Sequence, residues 1–190
     1  MLLLATRNVG KIREMKALLP GKILAADEYQ KGLPEVVEDG STLEENAVKK
    51  ATTIARLTGQ PCVADDTGLF VDALHGAPGI YAARFFGHEG DWAKNRQALL
   101  ALMKDVKDKD RTASFKCIIA LGFPDHSYKL FPGEVKGRIT TMERGVGGFG
   151  YDPIFEVDGR TFAERTDKNQ ISHRALALRG LRDYLSTHPL

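Results

Sequence analysis

The chain has 190 residues, 43% of them hydrophobic, with 27 basic against 25 acidic residues and a net charge of +2. That length and apolar content suit a globular α/β domain with a sizeable core, while the near balance of charge argues against a broad basic surface for nucleic acid or an anionic membrane. No apolar run approaches the roughly 20 residues needed to span a bilayer, and Cys62 and Cys117 each sit in an apolar run, as buried thiols do, rather than in a disulfide framework or a metal site.

The apolar stretch from Met1 to Ala5 is too short for a signal peptide, so a reducing, cytoplasmic location is expected. Leu2 to Ala5 reads as a buried strand that breaks at Thr6-Arg7-Asn8-Val9-Gly10. A helix with Ile12, Met15, Leu18 and Leu19 at helical spacing follows, and Pro20-Gly21 stops it. Residues 32–41 form a loop carrying Glu35, Glu38 and Asp39. Thr42 and Glu45 make a capping box for a helix whose inner face is Ala47, Ala51, Ile54 and Ala55, with Lys49 and Lys50 on the polar face by default. Cys62 to Ala64 is a short strand running into Asp65-Asp66.

Beyond it come a glycine-rich loop at His75 to Gly79, a turn at Gly87 to Gly90, and a helix capped by Asp91 that runs to Met103 with Leu99, Leu102 and Met103 inward. Alternation from Ala113 to Leu121 predicts a strand. Tyr128 to Phe131 and Glu134 to Thr140 are two more strands, separated by Pro132-Gly133. A glycine-dense loop covers Gly145 to Pro153, a hairpin turns at Asp158-Gly159, and a last helix runs from about Ser172 to Leu185. The order of elements predicts a mixed sheet flanked by helices.

Four segments carry chemistry. Thr6 to Lys11 stands between strand and helix, where unpaired backbone N–H groups suit a phosphate; the competing reading is a plain turn capped by Asn8. Asp65-Asp66-Thr67-Gly68 places two acids after an apolar strand. Packing gives no reason for them, whereas a hard cation would relieve their repulsion and bind phosphate oxygens; the alternative is an exposed turn. In Gly147 to Pro153, Phe149 and Tyr151 offer flat faces to a purine and Asp152 an acceptor to a sugar or base, although a structural loop also tolerates this composition. Lys168 to Arg174 contains Ser172, a natural helix cap, followed by His173 and Arg174, whose positive charge in a first turn opposes the helix dipole unless an anion or an electronegative base edge is near.

Taken together, these segments resemble the inosine/xanthosine triphosphate pyrophosphatase family, which acts on non-standard purine nucleotides. The matching segments are Thr6 to Lys11, Glu45-Asn46-Ala47, Ala64 to Leu69, Pro78-Gly79-Ile80-Tyr81, Phe149 to Pro153 and Ser172-His173-Arg174, in the family's order. The resemblance implies a single domain over residues 1–190 with an elongated two-lobed α/β fold, a central mixed sheet flanked by helices, and the nucleotide in a cleft between lobes. It also implies a homodimer, a Mg²⁺ requirement, no nucleic-acid or membrane partner, and hydrolysis of ITP, dITP and XTP to the monophosphate and pyrophosphate, removing them from the nucleotide pool. Carried over, Thr6, Arg7, Asn8, Val9, Gly10, Lys11 and Lys50 would contact phosphates. Glu38 (or its rival Glu35) and Asp66 would hold the metal, with Asp66 as general base. Thr67 would touch substrate, Phe149, Gly150, Tyr151, Asp152 and Lys168 would line the base and sugar site, and His173 and Arg174 would read the purine, with Arg174 or nearby backbone donating to a 6-oxo group.

Two positions depart from the family pattern: Thr67 stands where Ser is common, and Ala82 replaces the serine of Tyr-Ser-Ala-Arg. A pyrophosphatase for pyrimidine or other modified nucleotides on a similar fold is the alternative reading.

Overall fold

Three consecutive leucines form the first strand, β1 (Leu2–Leu4), and all three are buried. The chain then runs through α1 (Val9–Leu18), β2 (Ile23–Ala25), α2 (Ala26–Tyr29), α3 (Leu43–Thr58), β3 (Cys62–Val71), β4 (Pro78–Gly79), α4 (Trp92–Leu102), β5 (Thr112–Gly122), β6 (Tyr128–Ile139), β7 (Phe155–Val157), β8 (Arg160–Thr161), α5 (Lys168–Ile171) and α6 (His173–Thr187). This is a computed structural model, and it describes residues 1–87 and 90–190. The turn expected at Gly87 to Gly90 therefore falls partly outside the described residues.

Hydrogen-bonded strands follow the order β2-β1-β3-β5-β6-β7-β8, with β4 antiparallel to β3. β1 pairs in parallel with both β2 and β3, whereas β6, β7 and β8 pair antiparallel, so the sheet is mixed, as expected. Among the described residues, no helix is long and apolar enough to cross a membrane.

The chain divides into two compact units, one of Met1–Asp66, Cys117–Gly133 and Ser172–Leu190, the other of Thr67–Lys116 and Glu134–Ile171. In the first unit, strand alternation sorts the core between two faces. Leu2, Leu4, Val63, Cys117, Ile119 and Leu121 pack with Met15 and Leu19 from the α1 side and with Ala177, Leu178 and Leu181 of α6. Leu3 and Cys62 face the other way, onto Ile54 and Ala55 of α3. Strands covered on both faces read as unbroken apolar runs, which is why β1 shows no polar alternation. The second unit packs Leu69, Val71, Phe115, Ile139, Phe155 and Phe162 with Leu99 and Met103 from α4 and its end.

Helix starts fall where cap chemistry put them: Thr42, Asp91 and Ser172 each accept an N–H three residues on. Both cysteines are buried thiols, and burial pushes the Cys62 thiol up, so it stays protonated. Three expectations need correction. Leu102 is exposed, not inward. β3 does not stop at Ala64 but runs ten residues, through both acids. Pro132-Gly133 does not break β6; a Cβ on Gly133 would lie 2.0 Å from the His173 carbonyl oxygen and 2.6 Å from the Ala177 nitrogen. Glycine is there for close approach to α6, not for a turn.

Candidate active site

Asp65 and Asp66 are both buried in the interior of β3, which corrects their expected place at a strand's carboxyl end. Because neighbours on a strand point to opposite faces, the two acids do not form one joint pair. Each has its own partners, as buried carboxylates require.

Asp66 faces α3. The Asn46 amide donates to its Oδ2 at 3.1 Å, and Lys50 Nζ lies 3.6 Å from its Oδ1. Lys50 also donates to Glu38 Oε1 and, at 2.6 Å, to the Asp65 carbonyl oxygen. Burial raises the Asp66 pKa and the nearby Glu38 charge adds to it; together they outweigh Lys50, Lys11 and the Asn46 bond. For Glu38 the balance runs the other way: burial works to raise its pKa, but the Lys50 charge and hydrogen bond bring it below the ordinary value. Burial also works against the Lys50 charge, yet Asp66, Asp65 and Glu38 hold its pKa above the usual range. The result is a protonated lysine among three acids, of which Asp66 alone has its pKa raised above its ordinary value.

Lys50 was expected on the polar face of α3 and is instead buried. Its position was legible: 47, 50, 51 and 54 share one helical face with the alanines and Ile54. Between the rival acids, Glu35 has a side chain 88% exposed and pairs with Arg7, whereas Glu38 shares Lys50 with Asp66.

Asp65 faces α1 and α6. Lys11 Nζ lies 3.1 Å from its Oδ1, and Arg174 donates to its Oδ2 from Nε at 3.2 Å and Nη2 at 3.0 Å. Arg174 Nη1 reaches Glu14. Burial alone would raise the Asp65 pKa, but Lys11, Arg174 and Lys50 reverse it and hold the group well below the usual carboxylate range. Burial likewise opposes the Arg174 charge, which Asp65 and Glu14 restore. Each of the three guanidinium nitrogens gives one bond to a carboxylate and the side chain is 3% exposed, so Arg174 has a structural role in pairing Asp65 and Glu14 that the purine reading did not include. His173 is buried beside it.

At the start of α1, Asn8 Oδ1 accepts from the Lys11 N–H at 3.1 Å, and Thr6 Oγ1 accepts from the Asn8 N–H at 3.2 Å. The capped-turn reading is therefore correct as far as it goes. It leaves the backbone of Val9 and Gly10 at a helix start whose first turn holds no acid, so its partial positive charge is not cancelled. Arg7 turns elsewhere, to Asp27 at 2.7 Å and the Leu33 carbonyl at 2.9 Å.

In the second unit, Asp152 Oδ2 accepts from the Phe149 N–H at 2.7 Å and from Lys168 Nζ at 2.6 Å, and that ammonium stands 4.8 Å over the Phe149 ring. Asp152 thus folds the loop around Phe149. Tyr151 is core rather than a purine platform: it is buried, meets Trp92 edge-on, and donates its hydroxyl to the Ala82 carbonyl at 2.7 Å. Gly150 is also buried, its carbonyl taken by Arg96 at 2.9 Å. Phe149 remains partly exposed, and Thr67 follows Asp66 on β3, also partly exposed.

Glu38 and Asp66 supply hard oxygen donors around one lysine, and burial, with the Glu38 charge behind it, raises the Asp66 pKa. That suits a divalent cation of the Mg²⁺ kind, which takes one or two carboxylates and fills its other positions with water and phosphate oxygens. Among the described residues, no group of three or more His, Cys, Asp or Glu is placed to hold a metal ion. The sequence reading missed Asn46 and Glu14 as members of the site. Glu14 stands three residues from Lys11, on the same helical face as Met15 and Leu18.

A family model described as the Ham1 family matches residues 2–184. The dITP/XTP pyrophosphatase of Streptomyces coelicolor is 48% identical over 189 residues, covering 95% of this chain and 94% of that protein. The protein of that name from Geobacter sulfurreducens is 47% identical over 191 residues, covering 97% and 96%. Among solved structures, the Staphylococcus aureus Ham1 protein is similar with a TM-score of 0.87 and 38% identity, covering 98% of each chain. A HAM1 protein from Coxiella burnetii gives 0.87 and 39%, again over 98% of each.

Proposed function

This chain belongs to the Ham1 family, and from that premise we propose that it hydrolyses dITP, ITP and XTP to the monophosphate and pyrophosphate, with Asp66 as general base. The observation that carries the chemistry is the Asp66 carboxylate, buried beside Glu38 and more basic than an ordinary aspartate.

Water attacks the α phosphorus, the bond to the bridging oxygen of the β phosphate breaks, and pyrophosphate leaves. Asp66 Oδ1 accepts the proton of that water. The backbone N–H groups at the start of α1, with Thr6, Asn8 and Lys11, hold phosphate oxygens, so that positioning and charge neutralisation do most of the work. Lys50 keeps the carboxylates in place and lends positive charge beside them. Glu38 and Asp66 would hold the metal, for which we propose Mg²⁺, and the ion would supply charge neutralisation for the phosphate oxygens. Phe149 stacks on the base, Lys168 and Asp152 fix the loop that carries Phe149, and Thr67 contacts the substrate. The enzyme acts as a cytoplasmic homodimer on a free nucleotide.

Pyrophosphate release from a panel of dITP, ITP, XTP, ATP, GTP, dUTP and dTTP tests this directly. We expect turnover concentrated on the first three and lost in EDTA. Equal rates on the pyrimidine nucleotides would transfer the assignment to the alternative substrate class.

A further inference from the structure

Within the Glu45-Asn46-Ala47 segment, two residues have plain structural work. Glu45 accepts from the Ser41 N–H at 2.7 Å and its hydroxyl at 2.9 Å, and Ala47 is buried. Asn46 is different, because a buried amide in the first turns of a helix must satisfy both of its ends.

The Gly40 N–H donates to Asn46 Oδ1 at 2.8 Å. Only an acceptor can face an N–H, so this bond fixes which end of the amide is oxygen and leaves the NH₂ as the end that meets Asp66 Oδ2 at 3.1 Å. The other Asp66 oxygen lies beside Lys50, so both oxygens of the carboxylate have assigned neighbours and its plane is set. The contact to Gly40 is close: a Cβ there would come within 2.8 Å of Asn46 Oδ1. Gly40 lies two residues after Glu38, so the same amide that orients Asp66 also ties down the loop carrying Glu38.

We propose that Asn46 is a positioning residue that seats the Glu38 loop against α3 and fixes the Asp66 carboxylate, presenting the two acids as a preformed pair to the divalent cation. This rests on the metal site of the proposed function. Partners that orient metal-binding carboxylates typically govern about 10–100-fold in metal affinity or activity.

The test compares wild type, Asn46→Ala and Gly40→Ala as full-length proteins. Mn²⁺ affinity is measured calorimetrically without nucleotide, alongside kcat and KM for dITP at saturating Mg²⁺. For folded Asn46→Ala we expect Mn²⁺ affinity and kcat each to fall about tenfold, with KM for dITP unchanged. Wild-type Mn²⁺ affinity and kcat in that variant, or a change confined to KM, would overturn the proposal. Should Asn46→Ala not fold, Gly40→Ala carries the same measurement, since it keeps the asparagine and displaces its amide. If wild type fails to turn over dITP, the substrate assignment falls, while the Mn²⁺ titration still decides the role of Asn46.

Discussion

Arg174 grips a single oxygen of Asp65 with two nitrogens, Nε at 3.2 Å and Nη2 at 3.0 Å. A cation in the first turn of α6 opposes the helix dipole, and Asp65 together with Glu14 supplies the offsetting negative charge. The unfavourable charge that drew attention to this position is thus explained inside the protein, by residues more than a hundred positions away in the chain.

Replacing Arg174 with Ala leaves two buried carboxylates short of their cation. Loss of one partner from a buried ion pair costs about 3–5 kcal/mol, so urea denaturation should show a fall of that order. The ratio of ITP to ATP turnover should stay near wild type in the protein that remains folded. A narrowed ratio at unchanged stability would return Arg174 to the reading of the base.

Asp66→Asn should lower kcat by about 10²–10⁴-fold, the range for loss of a general base. Its stability at pH 7 should not fall. The raised pKa means that ionised Asp66 works against folding at neutral pH, and an amide removes that charge in the same shape. A melting temperature clearly below wild type, with activity retained, would count against both statements.

Asp65 has the opposite sign. Its folded pKa lies below the unfolded one, so it contributes stability that is complete above about pH 4, the usual unfolded aspartate value, and is lost as pH falls toward the folded pKa. Asp65→Asn should therefore be much less stable than wild type at pH 7, and the gap should narrow in denaturation series at pH 4 and pH 3. A gap that stays constant with pH would mean that the carboxylate charge is not what Lys11 and Arg174 hold.

Phe149→Ala should raise KM for dITP about tenfold with a smaller change in kcat, since stacking of a base on an aromatic ring is worth about 1–3 kcal/mol and is made equally in ground and transition states. An unchanged KM would remove Phe149 from the base site.

What the sequence made legible was local. Caps at Thr42, Asp91 and Ser172, the hairpin at Asp158-Gly159 and the inner faces of α3 and α6 depend on residues within a turn or two of each other. The acidic pair was recognised as unusual but misplaced, because a strand can continue through two carboxylates only if cations meet them. Those cations come from Lys11, Lys50 and Arg174, on three different helices. Tyr151 and Asp152 read as substrate contacts from an aromatic face, an acceptor and the family resemblance, whereas their partners Ala82 and Lys168 are visible only in the fold.

The alternation along β3 also sets how this segment can tolerate change. Deleting one residue between Cys62 and Asp65 would carry Asp66 into the place that faces Arg174, inserting one would carry Asp65 into the place that faces Asn46, and either change would turn both acids to the opposite face of the sheet. Spacing within this strand is therefore as much a part of its chemistry as residue identity, and length variation among working enzymes of this kind should fall in the loops around β3 rather than within it.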